Sequence, residues 1–309
     1  NNECRELLDK PADVVLMNGF EDDFVPKGAT FTGKRKRARS TMLRVANCLL
    51  GEDLGDDTLI IGTSGRYEFK NKGIDVFLES LNRLNRDKDL KKKVLAFVNV
   101  PSWVGDPRED LQKRLKSKDK FTEPLQCPFI THWLHNMTHD QVLDMLKYLG
   151  MGNRPEDKVK VIFVPCYQDG HDGILNKHYY DLILGEDLSV YPSYYEPWGY
   201  TPLESVAFRV PTITTDLAGF GLWVNSLKNQ HGINDGVEVL HRSDYNYSEV
   251  ADGIKDTVAL FSTKTEAEIK EIRKRAGQVA EQALWKHFIQ YYYEAYDIAL
   301  RNAMKRQLK

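Results

Sequence analysis

Cysteine is scarce in this chain, and none of the four cysteines lies in a CxxC pair. The scattered positions of Cys4, Cys48, Cys127 and Cys166 predict reduced thiols rather than a disulfide framework or a zinc site. No run approaches the ~20 apolar residues needed to span a bilayer. The first residues, NNECRELLDKPAD, also lack the apolar stretch of a signal peptide. We therefore expect a cytoplasmic protein with no membrane partner.

Neither sign of charge is in large excess. Lys and Arg number 43 against 45 Asp and Glu, a formal net charge of −2. No global positive field exists to attract nucleic acid. We interpret the basic run Lys34–Arg39 as a solvated helix face, because no aromatic residues are interleaved with it. We therefore expect no nucleic-acid partner.

Short apolar runs that alternate with helical patterns are typical of strands buried on both faces of a parallel sheet. The runs are Val14–Met17, Leu59–Gly62, Val94–Val100, Val159–Pro165, Leu188–Tyr191 and Thr212–Thr215. Helical spacing of apolar residues follows from Ile74 to Leu84 and from Val142 to Leu149. The predicted class is α/β, a Rossmann-like doubly wound parallel sheet. Ligands in such sheets bind at the carboxyl ends of the strands.

Two regions depart from this alternation. Residues 101–126 are polar and predict an exposed insertion with its own helix. The sequence from Glu266 onward predicts a long helical stretch. An aromatic stripe along one face of that stretch predicts packing against this domain for at least part of its length. The stripe comprises Trp285, Phe288, Ile289, Tyr292 and Tyr296.

The segment Tyr191–Gly221 carries two carboxylates near a predicted helix start. Glu196 lies in the turn after a strand, and Glu204 follows Pro202. Proline suits a first helical turn because its missing N–H is not needed there. The free N–H groups of Tyr200, Thr201 and their neighbours favour an anion such as a phosphate. Carboxylates beside a phosphate site suit sugar or ribose hydroxyls, so this segment suggests a sugar nucleotide.

A second loop, Ile61–Gly73, follows a strand and opens a helix. It contains glycines together with Arg66 and Lys72, which suit a diphosphate. The P-loop pattern GxxxxGK[ST] is absent. On the residues alone, an ordinary surface loop is an equally good interpretation.

Several strings in this chain resemble the glycogen synthase family of the fungal and animal type, a branch of the retaining glycosyltransferases. They are SYYEPWGYTPLES followed by PTITTDLAGFG, then GRYEFKNKG, VLMNGF, and LNKHYYDLILGEDLSVYPS with Tyr179. The resemblance covers most of the chain, although residues 101–126 match poorly. It implies the C-terminal, donor-binding domain of a two-domain GT-B enzyme.

The resemblance implies the following division of the chain. Residues 1–25 would end the N-terminal domain and form a linker, and residues 26–280 would form the Rossmann-like nucleotide-sugar-binding domain, with the insertion at 101–126. Residues 281–309 would form a closing helix that crosses to a missing N-terminal Rossmann-like domain. We expect the isolated chain to be inactive, because half a cleft does not position an acceptor.

The implied reaction transfers glucose from UDP-glucose or ADP-glucose to an α-1,4-glucan acceptor with retention. By the resemblance, Arg66 and Lys72 contact the diphosphate and Glu196 faces the glucose. The nucleotide-sugar-binding residues are then Tyr179 against the base, Tyr200 and Thr201 near the phosphates, and Glu204 at the ribose. We assign no nucleophile.

The family uses no metal, and we expect none. His132, His135 and His139 share a face only if residues 131–140 are helical, and zinc needs further ligands. Family members controlled by a sugar phosphate carry an arginine-rich helix. Here the matching stretch offers Arg273, Lys274 and Arg275, which we interpret as a solvated face.

Two other readings remain open. Another retaining nucleotide-sugar glycosyltransferase with a small acceptor would carry the same donor residues. A nucleotide-sugar-binding module without catalysis would suit a chain that holds half a cleft. A homo-oligomer is also possible, since the aromatic stripe could drive self-association.

Overall fold

The computed structural model describes residues 2–228 and 230–307 and contains a parallel sheet of six strands in the order β5-β2-β1-β6-β7-β8. The strands are β1 Leu59–Ser64, β2 Val94–Asn99, β5 Val159–Val164, β6 Leu188–Val190, β7 Thr212–Thr215 and β8 Val237–Leu240. The sheet winds outward in both directions from the β1–β6 pair, which confirms the doubly wound α/β class. β3 (Val104–Pro107) and β4 (His132–Leu134) form a separate antiparallel pair.

Helices flank both faces of the sheet. They are α1 Asn2–Leu8, α2 Gly28–Leu50, α3 Ile74–Asn85, α4 Glu109–Lys116, α5 Gln141–Leu149, α6 Tyr179–Ile183, α7 Tyr200–Ala207, α8 Gly219–Asn225, α9 Tyr247–Ser262, α10 Glu266–Gln282 and α11 Trp285–Gln307. The predicted helical patterns at α3 and α5 are confirmed. Among the described residues, no helix is long and apolar enough to cross a membrane.

The central strands bury side chains on both sides because successive residues point to opposite faces. Leu59 and Ile61 of β1 pack with α3, α5 and α9, whereas Ile60 packs with α2 on the other face. All residues of β2 and β5 are buried. The uninterrupted apolar runs in the sequence follow from this two-sided burial.

Five of the six predicted strands are present, and the prediction for Val14–Met17 is wrong. That segment is irregular, and Val15 is 55% exposed, so its apolar run reflects no buried strand. Three further strands, β3, β4 and β8, were not predicted, and the residues of β8 after Val237 are only half-buried. β8 lacks a continuous apolar run, because Glu238 interrupts it.

The segment 101–126 has its own helix, α4, but it is not simply an exposed insertion. Leu111 on that helix is fully buried among residues of α2 and the sheet, and the side chain of Arg108 is also buried. Residues 131–140, in contrast, form β4 and a loop. The condition under which His132, His135 and His139 would share a helical face is therefore not met.

The basic run Lys34–Arg39 is helical, as part of α2, but interpreting it as a solvated face was wrong. Arg35 and Arg39 donate hydrogen bonds to the two carboxylate oxygens of buried Asp187, at 2.6 and 2.7 Å. Burial alone would raise the pKa of Asp187, yet Arg39 and Arg35 outweigh it and hold that pKa below its usual value. The run therefore fixes α2 to the start of β6.

The predicted helical tail consists of two helices, α10 and α11, with a break at Ala283 and Leu284. The aromatic stripe divides along α11. Phe288 is 3% exposed and packs edge-on against Trp198, whereas Tyr296 is 57% exposed. Part of the stripe thus packs against this domain, as predicted, and its far end faces solvent.

Candidate functional site

A cavity of about 360 Å³ opens at the carboxyl ends of the strands, where the sheet changes direction between β1 and β6. Its wall consists of Ser64, Gly65, Arg66, Tyr67, Asn99, Pro101, Cys166, Tyr167, Gln168, Tyr179 and Thr201. Doubly wound sheets bind ligands at this switch point. Three of the predicted site residues, Arg66, Tyr179 and Thr201, meet there.

The loop after β1 presents Arg66 to this cavity. Gly65 adopts a φ of +140°, a backbone conformation that would be strained in a residue with a side chain. The sharp turn leaves the Arg66 side chain 76% exposed, with one ion pair to Glu68 at 2.9 Å. Arg66 therefore keeps most of its donors available for an anion.

Lys72 and Glu196 form an ion pair across the site. Their side chains are only 16% and 19% exposed, so the pair is screened little by solvent. Two backbone contacts position Glu196: its N–H donates to Leu217 at 3.2 Å, and its carbonyl accepts from Gly219 at 3.0 Å. The structure thus brings together two residues that lie 124 positions apart in the sequence.

The turn between Glu196 and α7 depends on Gly199, whose φ is +105°. A side chain there would press against Pro202 at 3.2 Å. The first residues of α7 are Tyr200 and Thr201. The Thr201 side chain faces the cavity, and Tyr200 is 47% exposed. The N–H groups of this first turn have no partner within the helix and lie beside the cavity.

Glu204 lies one turn further along α7 and accepts a hydrogen bond from the hydroxyl of Tyr180 at 2.8 Å. Burial raises the pKa of Glu204, and the Tyr180 hydroxyl lowers it in part. The Tyr180 ring stacks on Phe208, with ring centroids 5.1 Å apart. The carboxylate is therefore held in a fixed direction with one oxygen left for another donor.

Tyr179 begins α6 and belongs to a chain of hydroxyl contacts behind the cavity. Its hydroxyl lies 3.0 Å from the Ser64 hydroxyl, which is 3.3 Å from that of Tyr191. Tyr191 in turn lies 2.8 Å from Ser205. Burial raises the pKa of Tyr179 well above its ordinary value, so the phenol stays neutral. The chain ties β1, β6 and α7 into one rigid wall.

The sequence analysis missed several residues of the cavity. Tyr167 follows β5 and is 78% exposed, and Asn99 ends β2 and accepts from Gln168 at 2.9 Å. Tyr67 lies within the GRYEFKNKG string itself. Their common signal is a position directly after a buried strand, which the switch-point rule could have used.

The potential ligand atoms of His132, Cys166 and Asp172 (imidazole nitrogen, Sγ and carboxylate oxygen) lie within 4.8 Å of one another, which is close enough to suggest a metal site. The imidazole of His132 is already engaged, with Nδ1 2.9 Å from the Thr131 hydroxyl and Nε2 2.7 Å from the Asp172 carbonyl. The Asp172 carboxylate accepts three backbone N–H groups. Burial raises the pKa of Cys166 to about 12, so the thiol keeps its proton. We assign no metal to this cluster.

Interpreting Arg273 as part of a solvated face was wrong. The residue is 8% exposed, and its guanidinium donates to the Glu186 carbonyl at 3.1 Å. It lines a cavity of about 760 Å³ at the amino ends of the strands, together with Arg35, Arg39 and Arg209. Lys274 and Arg275 are exposed, as expected.

A glycogen synthase family model matches residues 47–113 and 106–309. The chain belongs to the glycogen synthase family. The glycogen [starch] synthase of Neurospora crassa is 27% identical over 97% of this chain and 50% of its own length. Glycogen [starch] synthase isoform 2 of Saccharomyces cerevisiae is 29% identical over 99% of this chain and 52% of its own length. The liver glycogen [starch] synthase of Mus musculus is 24% identical over 97% of this chain and 50% of its own length. The chain spans about half the length of these glycogen synthases.

Solved structures share the fold. Sucrose-phosphate synthase from Thermosynechococcus elongatus aligns with a TM-score of 0.53 at 16% identity, covering 97% of this chain and 56% of that one. HepE from Anabaena, crystallised with UDP and glucose, aligns with a TM-score of 0.51 at 15% identity, and the alignment covers 92% of this chain and 56% of HepE. These structures are GT-B glycosyltransferases, and this member of the glycogen synthase family has the fold of about half of each.

Proposed function

We propose that the chain is the donor-binding part of a glycogen (starch) synthase, a retaining glycosyltransferase. It would transfer glucose from UDP-glucose or ADP-glucose to an α-1,4-glucan. The observation that supports this most is the cavity at the sheet's switch point. Arg66, Tyr179 and Thr201 line it, and the Lys72–Glu196 ion pair lies at the adjoining turn. Cations, carboxylates and an aromatic ring thus occur in one place, as a sugar nucleotide requires.

The diphosphate would bind between Arg66, Lys72 and the N–H groups at the start of α7. Arg66 has donors to spare, whereas Lys72 is held by Glu196 until a ligand arrives. As the glycosidic bond to phosphate breaks, negative charge develops on the leaving group. Fixed donors stabilise that charge without reorganising, which is usually the largest contribution to catalysis. We propose no metal for this step.

The carboxylates would bind hydroxyl groups of the donor. Glu196, at the turn, would face the glucose, and Glu204, held by Tyr180, would accept from the ribose. Tyr179 and the exposed ring of Tyr167 lie on the cavity wall and offer surfaces for the base. An ionised carboxylate accepts hydrogen bonds from hydroxyl groups.

The acceptor side of the cleft would come from a second Rossmann-like domain, which the exposed end of α11 would contact. We propose that the chain alone binds nucleotide weakly and transfers little glucose, because the acceptor is not positioned. We propose the cytoplasm as the site of action. We also propose that the exposed part of α11 could support self-association of the chain.

Calorimetric titration of the chain with UDP and, separately, with ADP tests the proposal. We expect one nucleotide to bind, and Arg66→Ala and Glu204→Ala each to weaken it by about tenfold or more, since each removes a charged hydrogen bond. The nucleotide that binds identifies the donor.

The matched control is Arg37→Ala, which removes an exposed arginine on α2. It should leave nucleotide affinity unchanged. Unaltered affinity in both Arg66→Ala and Glu204→Ala would contradict the assigned site, and equal losses in all three variants would point to unspecific charge attraction.

A further inference from the structure

The β3–β4 pair presents tryptophans on its outer face. Val104 lies opposite Leu134, and the His135 N–H donates to the Trp103 carbonyl at 3.2 Å. Alternation along the two strands therefore places Trp103, His135 and Trp133 on one face and turns Leu134 inward. Trp103 is 73% exposed and Trp133 36%. Large aromatic side chains at such exposure mark interaction sites when they cluster.

Each indole is held in place on one side only. The Trp103 ring lies 4.8 Å from the ring of His135. The Trp133 ring lies over the guanidinium of Arg108 at 4.5 Å. Arg108 is itself fully buried and donates to the carbonyls of Cys127, Ile130 and Gln126. We call Trp103 and Trp133 the aromatic platform.

The platform's geometry suits more than one ring of a ligand. Trp103 and Trp133 are diagonal neighbours across the two strands, a spacing of about 7–8 Å between backbones. Gly105 faces Trp133 without a side chain, and a Cβ there would lie 3.2 Å from the Trp133 carbonyl. The platform is therefore an exposed surface rather than a closed pocket.

The exposed residues next to the platform in the sequence include no Lys or Arg. They are His135, Asp106 in β3, and Asn136, Thr138 and His139 after β4. A nucleic-acid surface would interleave Lys or Arg with its aromatic rings, and the guanidinium nearest to these indoles belongs to buried Arg108. A sugar fits this setting, because its C–H face packs on an aromatic ring while carboxylate, amide and hydroxyl groups bond its hydroxyls.

The platform also adjoins the candidate site. Asn99 and Pro101 on the same connection line the donor cavity, and Trp103 follows directly. The Ser102 N–H donates to the Pro165 carbonyl at 2.9 Å, which fixes this connection beside the end of β5. A chain lying on the platform would thus end near the edge where the donor is proposed to bind.

We propose that the aromatic platform binds an α-glucan chain beside the donor cavity and holds it to the enzyme. The choice of glucan rests on the proposed function, whereas the platform itself rests on exposure, orientation and charge. Contact with Trp103 contributes most, because Trp133 is partly covered. Binding here is separate from nucleotide binding and needs no donor.

Titration of the chain with maltoheptaose, followed by calorimetry and by tryptophan fluorescence, tests this inference. We expect Trp103→Ala to weaken binding about tenfold, equivalent to roughly 1.4 kcal/mol. Trp103→Phe should retain most of the affinity, since it keeps an aromatic face. UDP and ADP titrations of the same variants should be unchanged.

The matched control is Tyr148→Ala. Tyr148 is 87% exposed near the end of α5, which runs back toward the amino ends of the strands. Equal maltoheptaose affinity in wild type and Trp103→Ala would overturn the inference, as would an equal loss in Tyr148→Ala or binding of a single-stranded oligonucleotide in place of the glucan. Loss of nucleotide binding with intact glucan binding would count against the proposed function alone.

Discussion

Glu186 is a carboxyl group enclosed at the start of β6. It is 4% exposed, and one oxygen accepts from the Ser189 hydroxyl at 2.6 Å. Burial raises its pKa to about 8, with the Ser189 hydroxyl lowering it and the charge of Asp187 raising it. It fits only because Gly62 on the neighbouring strand lacks a side chain, since a Cβ there would lie 2.1 Å from Glu186 Oε1. The group therefore stays protonated near neutral pH.

Glu186→Gln should flatten the dependence of stability on pH. The ordinary pKa of 4.5 applies in the unfolded chain and about 8 in the folded one. Between these values the unfolded chain loses the proton that the folded chain keeps, so stability falls as pH rises, by roughly a few kcal/mol. Gln cannot ionise, so this fall should disappear. Urea unfolding at pH 5, 6, 7 and 8 measures it.

The comparison for this experiment is Glu294→Gln, an exposed carboxyl on α11. Its unfolding curves should track the wild type at each pH. If Glu186→Gln also tracks the wild type, the carboxyl is not held neutral in the folded protein.

Helix α5 shows how an element's end can be joined to the site. Asp140 caps the helix by accepting from the N–H groups of Val142 and Leu143, both at 3.0 Å. Its other oxygen accepts from the Tyr67 hydroxyl at 2.8 Å. Tyr67 lines the donor cavity, so the cap of α5 also orients a wall of that cavity.

Asp140→Ala should lower the free energy of unfolding by about 1–2 kcal/mol, because the Leu143 N–H and the Tyr67 hydroxyl lose their acceptor and the Val142 N–H keeps only the Tyr67 oxygen. Asp140→Asn should lose less, since an amide oxygen can still cap. Asp144→Ala, an exposed residue of the same first turn, serves as control and should change stability by about 0.5 kcal/mol or less. A loss in Asp140→Ala no larger than in Asp144→Ala would show that the cap contributes nothing.

Elements with a local signal could be predicted, and those set by distant partners could not. The buried strands around Leu59 and Val94 can be recognised in the sequence by their apolar runs, because both faces of the sheet are covered by helices. Arg35 looked solvated because its partner Asp187 lies 152 positions away. The Glu196 turn could be predicted from its carboxylates beside a helix start, and its role from the family resemblance. Tyr167, in contrast, carries no signal beyond its place after a strand.

At the scale of the whole molecule, the segment around Phe20 meets the start of α11. The Phe20 N–H donates to the Ala283 carbonyl at 2.9 Å, and the Trp285 N–H donates to the Phe20 carbonyl at 3.1 Å. The Tyr292 hydroxyl donates to the Asn18 side chain at 2.9 Å. The early segment thus anchors the first turns of α11, while Tyr293 further along is 61% exposed.

Gly19→Ala should loosen this anchor. A Cβ at Gly19 would lie 2.6 Å from the Trp285 ring and 2.7 Å from its backbone, closer than the structure allows. We expect a loss of about 1–3 kcal/mol, seen as faster amide hydrogen exchange in α11 with β1 unaffected. Gly33→Ala within α2 meets only a flexible Arg37 at 3.4 Å and should be neutral or slightly stabilising. Unchanged exchange in α11 would contradict the anchor.

The switch point of the sheet also bears on the order in which the protein assembles. β1, β2 and β5 pair along six residues each, but β1 and β6 share only two pairs. The bond from Ile60 N–H to Asp187 that supports this seam closes over 127 positions. Closing a loop of that length costs chain entropy, so we expect this contact to form late in folding. A nucleotide bound at the β1–β6 pairing would contact both halves of the sheet, so it would bind only after they have paired. The donor would therefore stabilise the pairing that is expected to form last.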